Sequence, residues 1–131
     1  MRAGVMHAVD TNVLVRLATR DDAKQLAAAE AFVAKGAWVS QIVLAETTWV
    51  LSAVYELSPR AISTAIEMFL NQEQLSLQDP ETVAAALEHY RRKPSLGFSD
   101  CLVLEVARRA GHLPLGTFDR DLSKLDGARR L

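Results

Sequence analysis

The sequence has little of what would staple, anchor or steer a chain. A single cysteine, Cys101, excludes an intramolecular disulfide and a thiolate zinc centre. That usage suits a reducing compartment, and a cytoplasmic location is expected. The N-terminal MRAGVMHAVD reaches an acid at position 10 with no apolar run of signal-peptide length. Four prolines and six glycines are scattered, and no linker, repeat or low-complexity run divides the chain. The longest stretch poor in charge, 36–55, contains Ser40, Gln41, Glu46, Thr47, Thr48 and Ser52. It reads as a strand running into a buried helix, not as a membrane span. A net charge of −1 gives no global field to draw nucleic acid or a membrane, so any nucleic-acid contact must come from a local patch.

Apolar residues are plentiful. They make up 50% of the 131 positions, against 24% charged, which excludes intrinsic disorder. The length fits one domain over 1–131, large enough to bury about two-thirds of its surface without a metal or disulfide. Short apolar runs alternate with helical spacing. Strands are expected at Val5–Val9, Trp38–Ser40, Leu75–Gln78, Leu113–Phe118 and near Ala128–Leu131. Between them, helices are expected from Asn12, over Asp22–Lys35, over Ile42–Leu57, after Ser58-Pro59, after Asp79-Pro80 and over Asp100–Ala110 with Ser99 as cap, and a short one after Asp119. Strands separated by helices pair in parallel. The expected fold is a three-layer α/β/α sandwich with a parallel sheet of four to five strands, and ligands bind such sheets at the strands' carboxyl ends.

Four acids stand out from the sixteen. Asp10 ends the first strand, and as part of Asp-Thr-Asn it also suits a helix cap. Glu46 is the one charged residue between Lys35 and Glu56, in an apolar helix where an unpaired carboxylate costs several kcal/mol. Asp100 opens a helix, where the dipole alone favours it. Asp119 follows the fourth strand and would cap a short helix. Singly, each has an ordinary structural explanation. As a set they fall at strand ends and helix starts on one expected edge, and four converging carboxylates need a counter-charge. Oxygen ligands without thiolate or imidazole point to Mg²⁺ or Mn²⁺. Such a centre suits phosphodiester hydrolysis. His7, His89 and His112 have no ligand spacing.

DTNVLVRL, LAETTWVL, SDCLVLEVARRAG and LGTFDRDL, in this order and spacing, resemble the PIN-domain ribonucleases, and among them the VapC-type toxins of toxin–antitoxin pairs. The resemblance covers essentially the whole chain. It implies a Mg²⁺- or Mn²⁺-dependent endoribonuclease whose acidic cluster is Asp10, Glu46, Asp100 and Asp119, with Asp10 and Asp100 most directly tied to the metal. It assigns supporting roles to Asn12, Thr117, Ser40 and, less directly, Asp121. It also implies a homodimer and a cognate antitoxin, both using the helix pair 42–57 and 59–71. Cys101 departs from the Ala usual there and reads as a buried small residue.

Eleven of the fifteen basic residues are Arg, which suits bidentate phosphate contacts. Arg16, close to Asp10, is the foremost candidate. Arg91-Arg92-Lys93, Arg108-Arg109 and Arg129-Arg130 read mainly as solvated surface. Trp38, Trp49, Tyr55 and Phe98 are available for stacking but lie in apolar runs that favour packing. Three other readings compete with the nuclease. A receiver-type phospho-acceptor module needs paired acids after the first strand and a lysine after the last, and Lys24, Lys35, Lys93 and Lys124 end no strand. A haloacid-dehalogenase-type phosphatase needs an acid where Asn12 stands. A PIN-like binding partner without activity would have lost one of the four acids, and all are present.

Overall fold

The computed structural model describes residues 6–131. The chain divides into two compact units, Met1–Pro80 and Glu81–Leu131. The first contains β1 (His7–Ala8), α1 (Thr11–Thr19), α2 (Ala23–Val33), β2 (Ala37–Val39), α3 (Gln41–Ala53), α4 (Pro59–Asn71) and β3 (Leu75–Leu77). The second contains α5 (Pro80–Arg92, Pro80 at the boundary), α6 (Phe98–Ala110), β4 (Leu115–Thr117) and β5 (Ala128–Arg130), with 3₁₀ turns at Pro94–Leu96 and Leu122–Lys124. Val5, the first residue of the expected strand Val5–Val9, lies outside the described residues.

The class is α/β, and among the described residues every strand pairing is parallel. The five strands are shared between a sheet of order β1-β2-β3 and a two-stranded sheet β4-β5. Alternation of strand and helix dictates strand direction but not which strands become neighbours, so the sequence does not reveal this division. In the first unit β2 is central, with Ala37 and Val39 buried and in register with buried Leu75 and Leu77. Trp38, paired with Ser76, points to the other face, as the period of two requires.

Helix starts follow local chemistry. Ser58 caps α4 through its hydroxyl, which accepts from Ala61 N at 3.1 Å, and Pro59 takes the first turn, where no amide is needed. Ile62, Ala65, Ile66 and Phe69 then line one buried stripe at helical spacing. Complete burial of Phe69 contributes about 1.5–3 kcal/mol. α3 stops at Ala53, before the expected Leu57. The Leu57 amide folds back to the Leu51 carbonyl at 3.0 Å while Glu56 takes a φ of 53°. Such a left-handed reversal is a usual way to end a helix.

α6 also differs from expectation. It begins at Phe98 after Gly97, whose φ of 77° suits glycine, and no side chain caps it. Ser99 is therefore not the cap. Asp100 sits on the third helical residue instead of the first, still within the turn where the dipole favours a carboxylate. Among the described residues, no helix is long and apolar enough to cross a membrane.

Candidate functional site

In the first unit, β1 leads through Val9 into Asp10. Asp10 adopts an extended backbone and caps α1, its Oδ1 accepting from Val13 N at 3.3 Å. The next residue, Thr11, is buried, and its hydroxyl donates to Glu46 Oε1. Asp10 and Glu46 are thereby linked through one intervening residue, by a bond joining α1 to α3. Thr11 is not among the residues that the sequence singles out. The signal was its place inside Asp-Thr-Asn, where a hydroxyl one residue past a cap faces back into the fold.

Glu46 does not lie in an apolar interior. It is exposed, and its helix is open along one side, where Ile42 is 81% and Trp49 62% exposed. Positions 42, 46 and 49 share that face at helical spacing. Glu46 therefore stays in solvent and keeps a hydroxyl partner, without the desolvation cost expected of a buried carboxylate. The buried side of α3 carries Leu44, Thr47, Thr48 and Leu51, and both threonine hydroxyls donate to backbone carbonyls of their own helix. Ser40 caps α3, its Oγ accepting from Val43 N at 3.1 Å, and Gln78 Oε1 accepts from Gln41 N at 2.9 Å.

Arg16 is already occupied. Nε donates to Gln25 Oε1 at 2.6 Å, and Nη1 donates to Asp21 Oδ1 at 2.7 Å and to the Tyr55 hydroxyl at 2.8 Å. The Tyr55 bond, ahead of the Asp21 charge, holds the guanidinium above its ordinary value. Exposed Asn12 lines a shallow, mostly apolar hollow with Val13, Arg16, Gln25 and Phe32. The Thr19 hydroxyl, followed by the Arg16 charge, holds Asp21 below the ordinary carboxylate range. A carboxyl depressed in the folded state adds stability above its unfolded value, and that stability is lost as pH falls through the folded value. Asp21→Asn is therefore expected to melt below the wild type at pH 7, with the two curves converging below about pH 4. Melting temperatures of both proteins across pH 2–7 check this.

In the second unit, Asp100 feels the charge of Asp119. Asp100, half-buried in the first turn of α6, has its carboxyl raised by burial and then by the negative charge of Asp119. Asp119 follows β4. Its amide donates to Thr117 Oγ1 at 3.0 Å and its Oδ1 accepts from Leu122 N at 2.9 Å, so Thr117 fixes the acid and the acid caps the 3₁₀ turn. Asp121 faces Lys124 at 3.8 Å. Cys101 is a core thiol, pushed up to about 11 by burial and then by the charges of Asp100 and Glu105.

Glu105 is not among the acids that stand out in the sequence. It is only 7% exposed, and its Oε2 takes His89 Nε2 at 3.0 Å and Arg108 Nε at 3.1 Å. The helical period carried the signal, because Phe98, Cys101, Leu102 and Glu105 fall on one buried face.

Asp10 and Glu46 thus stand together in one unit and Asp100 and Asp119 in the other. Among the described residues, neither unit gathers three or more His, Cys, Asp or Glu side chains into a group that could hold a metal ion. The donors are carboxylates with hydroxyl support and contain no imidazole or thiolate, which fits a hard divalent cation in kind. No curated protein and no solved structure matches the chain. The family profile of the PIN domain, a nuclease-type fold whose members typically use divalent metal ions, matches residues 8–128. That match runs from the end of β1 into β5 and takes in all four acids, so the chain belongs to the PIN domain family.

Proposed function

We propose that this chain is a Mg²⁺- or Mn²⁺-dependent endoribonuclease, a VapC-type toxin neutralised by a cognate antitoxin, and that 1–131 works as a single domain. The observation that carries the reading is where the four acids stand in a nuclease-type fold. Asp10 follows β1, Asp119 follows β4, Asp100 lies in the first turn of α6, and Glu46 is tied to Thr11, the residue beside Asp10. Receiver and phosphatase chemistry would require acids and a lysine that the chain lacks at the matching positions.

Asp10 and Asp100, with Glu46 and Asp119, would hold the ion. When bound, it supplies Lewis acidity at a phosphodiester and lowers the pKa of water. The chain supplies the positioning. Thr11 holds Glu46, Thr117 holds Asp119, Ser40 fixes the start of the Glu46 helix, and Asn12 offers an exposed amide beside Asp10. Asp121 would act through its neighbours, and Arg16 by holding α1 in place. Ile42, Trp49 and Val54, exposed on and just after α3, support a second copy of the chain and the antitoxin as partners.

Purified protein free of antitoxin is expected to cut RNA in Mg²⁺ or Mn²⁺ and to stop in chelator. Cutting that persists unchanged in chelator overturns the metal dependence. An absence of cutting in both metals, on total RNA that includes intact tRNA and ribosomes, overturns the nuclease reading.

A further inference from the structure

The turn after β4 carries an aromatic ring that neither the core nor the acid pairs use. Phe118, between Thr117 and Asp119, is 80% exposed, whereas Phe98, one of the residues the sequence offered for stacking, is buried. The turn beneath Phe118 is fixed. Besides the bonds Thr117 and Leu122 make to Asp119, the Ser123 amide donates to the Asp119 carbonyl at 3.0 Å and the Ser123 hydroxyl to the Arg120 carbonyl at 2.7 Å. The ring is presented to solvent from a hydrogen-bonded turn, one residue from a carboxylate of the candidate site.

The charge around this turn is unbalanced. Arg120 follows Asp119, and the sheet register sets Arg130 opposite Thr117 and Arg129 opposite Gly116. All three are exposed, and none is in an ion pair among the described residues. Asp119 is the one acid inside the turn, and the others nearby are engaged elsewhere, Asp121 facing Lys124 at 3.8 Å and Asp126 facing Arg108 at 3.7 Å. An exposed aromatic flanked by unpaired guanidinium groups is what single-stranded nucleic acid recognises. Any base stacks on the ring, and the guanidinium fork takes phosphate oxygens. Aromatic anchors at protein interfaces instead sit in water-excluding packed pockets, with unpaired charge kept to the rim.

We propose that Phe118 is a base-stacking platform for single-stranded RNA, with Arg120, next in the turn, and Arg129, on the strand face that Gly116 shares with Phe118, holding the flanking phosphates, so that a nucleotide is seated beside Asp119. This rests on the nuclease reading and adds to it the groups that grip the substrate.

The test uses the full chain with a short unstructured RNA carrying 2-aminopurine. Phe118→Ala is expected to raise KM roughly five- to a hundredfold with kcat nearly unchanged, and Phe118→Trp to restore it. In chelator, where binding alone is read, wild type should quench the 2-aminopurine and Phe118→Ala should not. Arg120→Gln and Arg129→Gln should each lower the salt slope of binding by about 0.7, and Arg130→Gln, on the opposite strand face, should leave it unchanged. Wild-type cutting with the same KM and quenching in Phe118→Ala overturns the platform and leaves the nuclease standing. If wild type cuts nothing, the nuclease reading fails, and the chelator measurement still decides whether Phe118 takes a base. A change in oligomeric state in Phe118→Ala, with RNA binding intact, makes the residue a protein contact and overturns the proposal.

Discussion

Asp10→Asn is expected to cut RNA at least about a thousandfold more slowly than wild type, a loss of about 4 kcal/mol in transition-state stabilisation, and to melt at the wild-type temperature. The choice of substitution follows from the local structure. Asp10 has two roles, since its carboxylate is a candidate metal ligand and its Oδ1 caps α1 by accepting from Val13 N. Asn caps a helix about as well as Asp, so it removes the charge and keeps the cap. Asp10→Ala removes both and costs about 1 kcal/mol of stability in addition. If the two variants lose activity equally while only the alanine variant loses stability, the catalytic and structural roles are separated. Wild-type activity in Asp10→Asn would end the assignment of this acid to the site. Parallel single-turnover cleavage and thermal melts provide both readouts.

The largest expected loss of stability lies elsewhere. Glu105→Ala is expected to cost about 2–3 kcal/mol, because it removes the one buried acceptor shared by His89 and Arg108. Removing one partner of a buried ion pair can cost more. Here the Arg108 side chain is about a third exposed, so solvent screens part of its charge. Arg108 also keeps its bond to the Asp126 carbonyl at 2.5 Å. For a chain of this size the loss corresponds to a melting temperature lower by about 10 °C. Glu105→Gln keeps one acceptor and should lose roughly half as much. Denaturant titration of the three proteins checks the order. A cost below about 0.5 kcal/mol for Glu105→Ala would mean that water replaces the carboxylate, and the cluster would then carry no weight in the fold.

The sequence was most legible where short-range chemistry decides. Ser58-Pro59 and Asp79-Pro80 mark the starts of α4 and α5 because a fixed proline φ and a missing amide act within one turn. Asp10 and Asp119 read correctly as cap acids for the same reason. Legibility failed where the answer depends on which face of an element is covered. Glu46 looked buried because Ile42, Trp49 and Val54 are apolar, and hydropathy does not distinguish residues facing a core from residues left in water. The division of five strands between two sheets depends on pairings across long stretches of chain. Gly97 moved the start of α6 upstream of Ser99 through a backbone conformation that leaves no trace in hydropathy. Phe118 and Glu105 were missed in opposite senses, one a large ring left outside and the other a carboxylate taken inside. The four acids stood out only as an ordered set, through a resemblance of which the family match supports the PIN domain.

The open side of α3 also bears on how molecules of this chain meet one another. With a formal net charge of −1 and a pI near 6.3, the chain has almost no net repulsion against its own copies near neutral pH. Ile42 and Trp49 then form a sticky strip with Glu46 set between them. That carboxylate interrupts what would otherwise be a continuous adhesive surface, as gatekeeper residues do in aggregation-prone segments. Glu46 thus has a reason to be charged that is independent of any metal, and its replacement would alter the chain's tendency to self-associate as well as its chemistry.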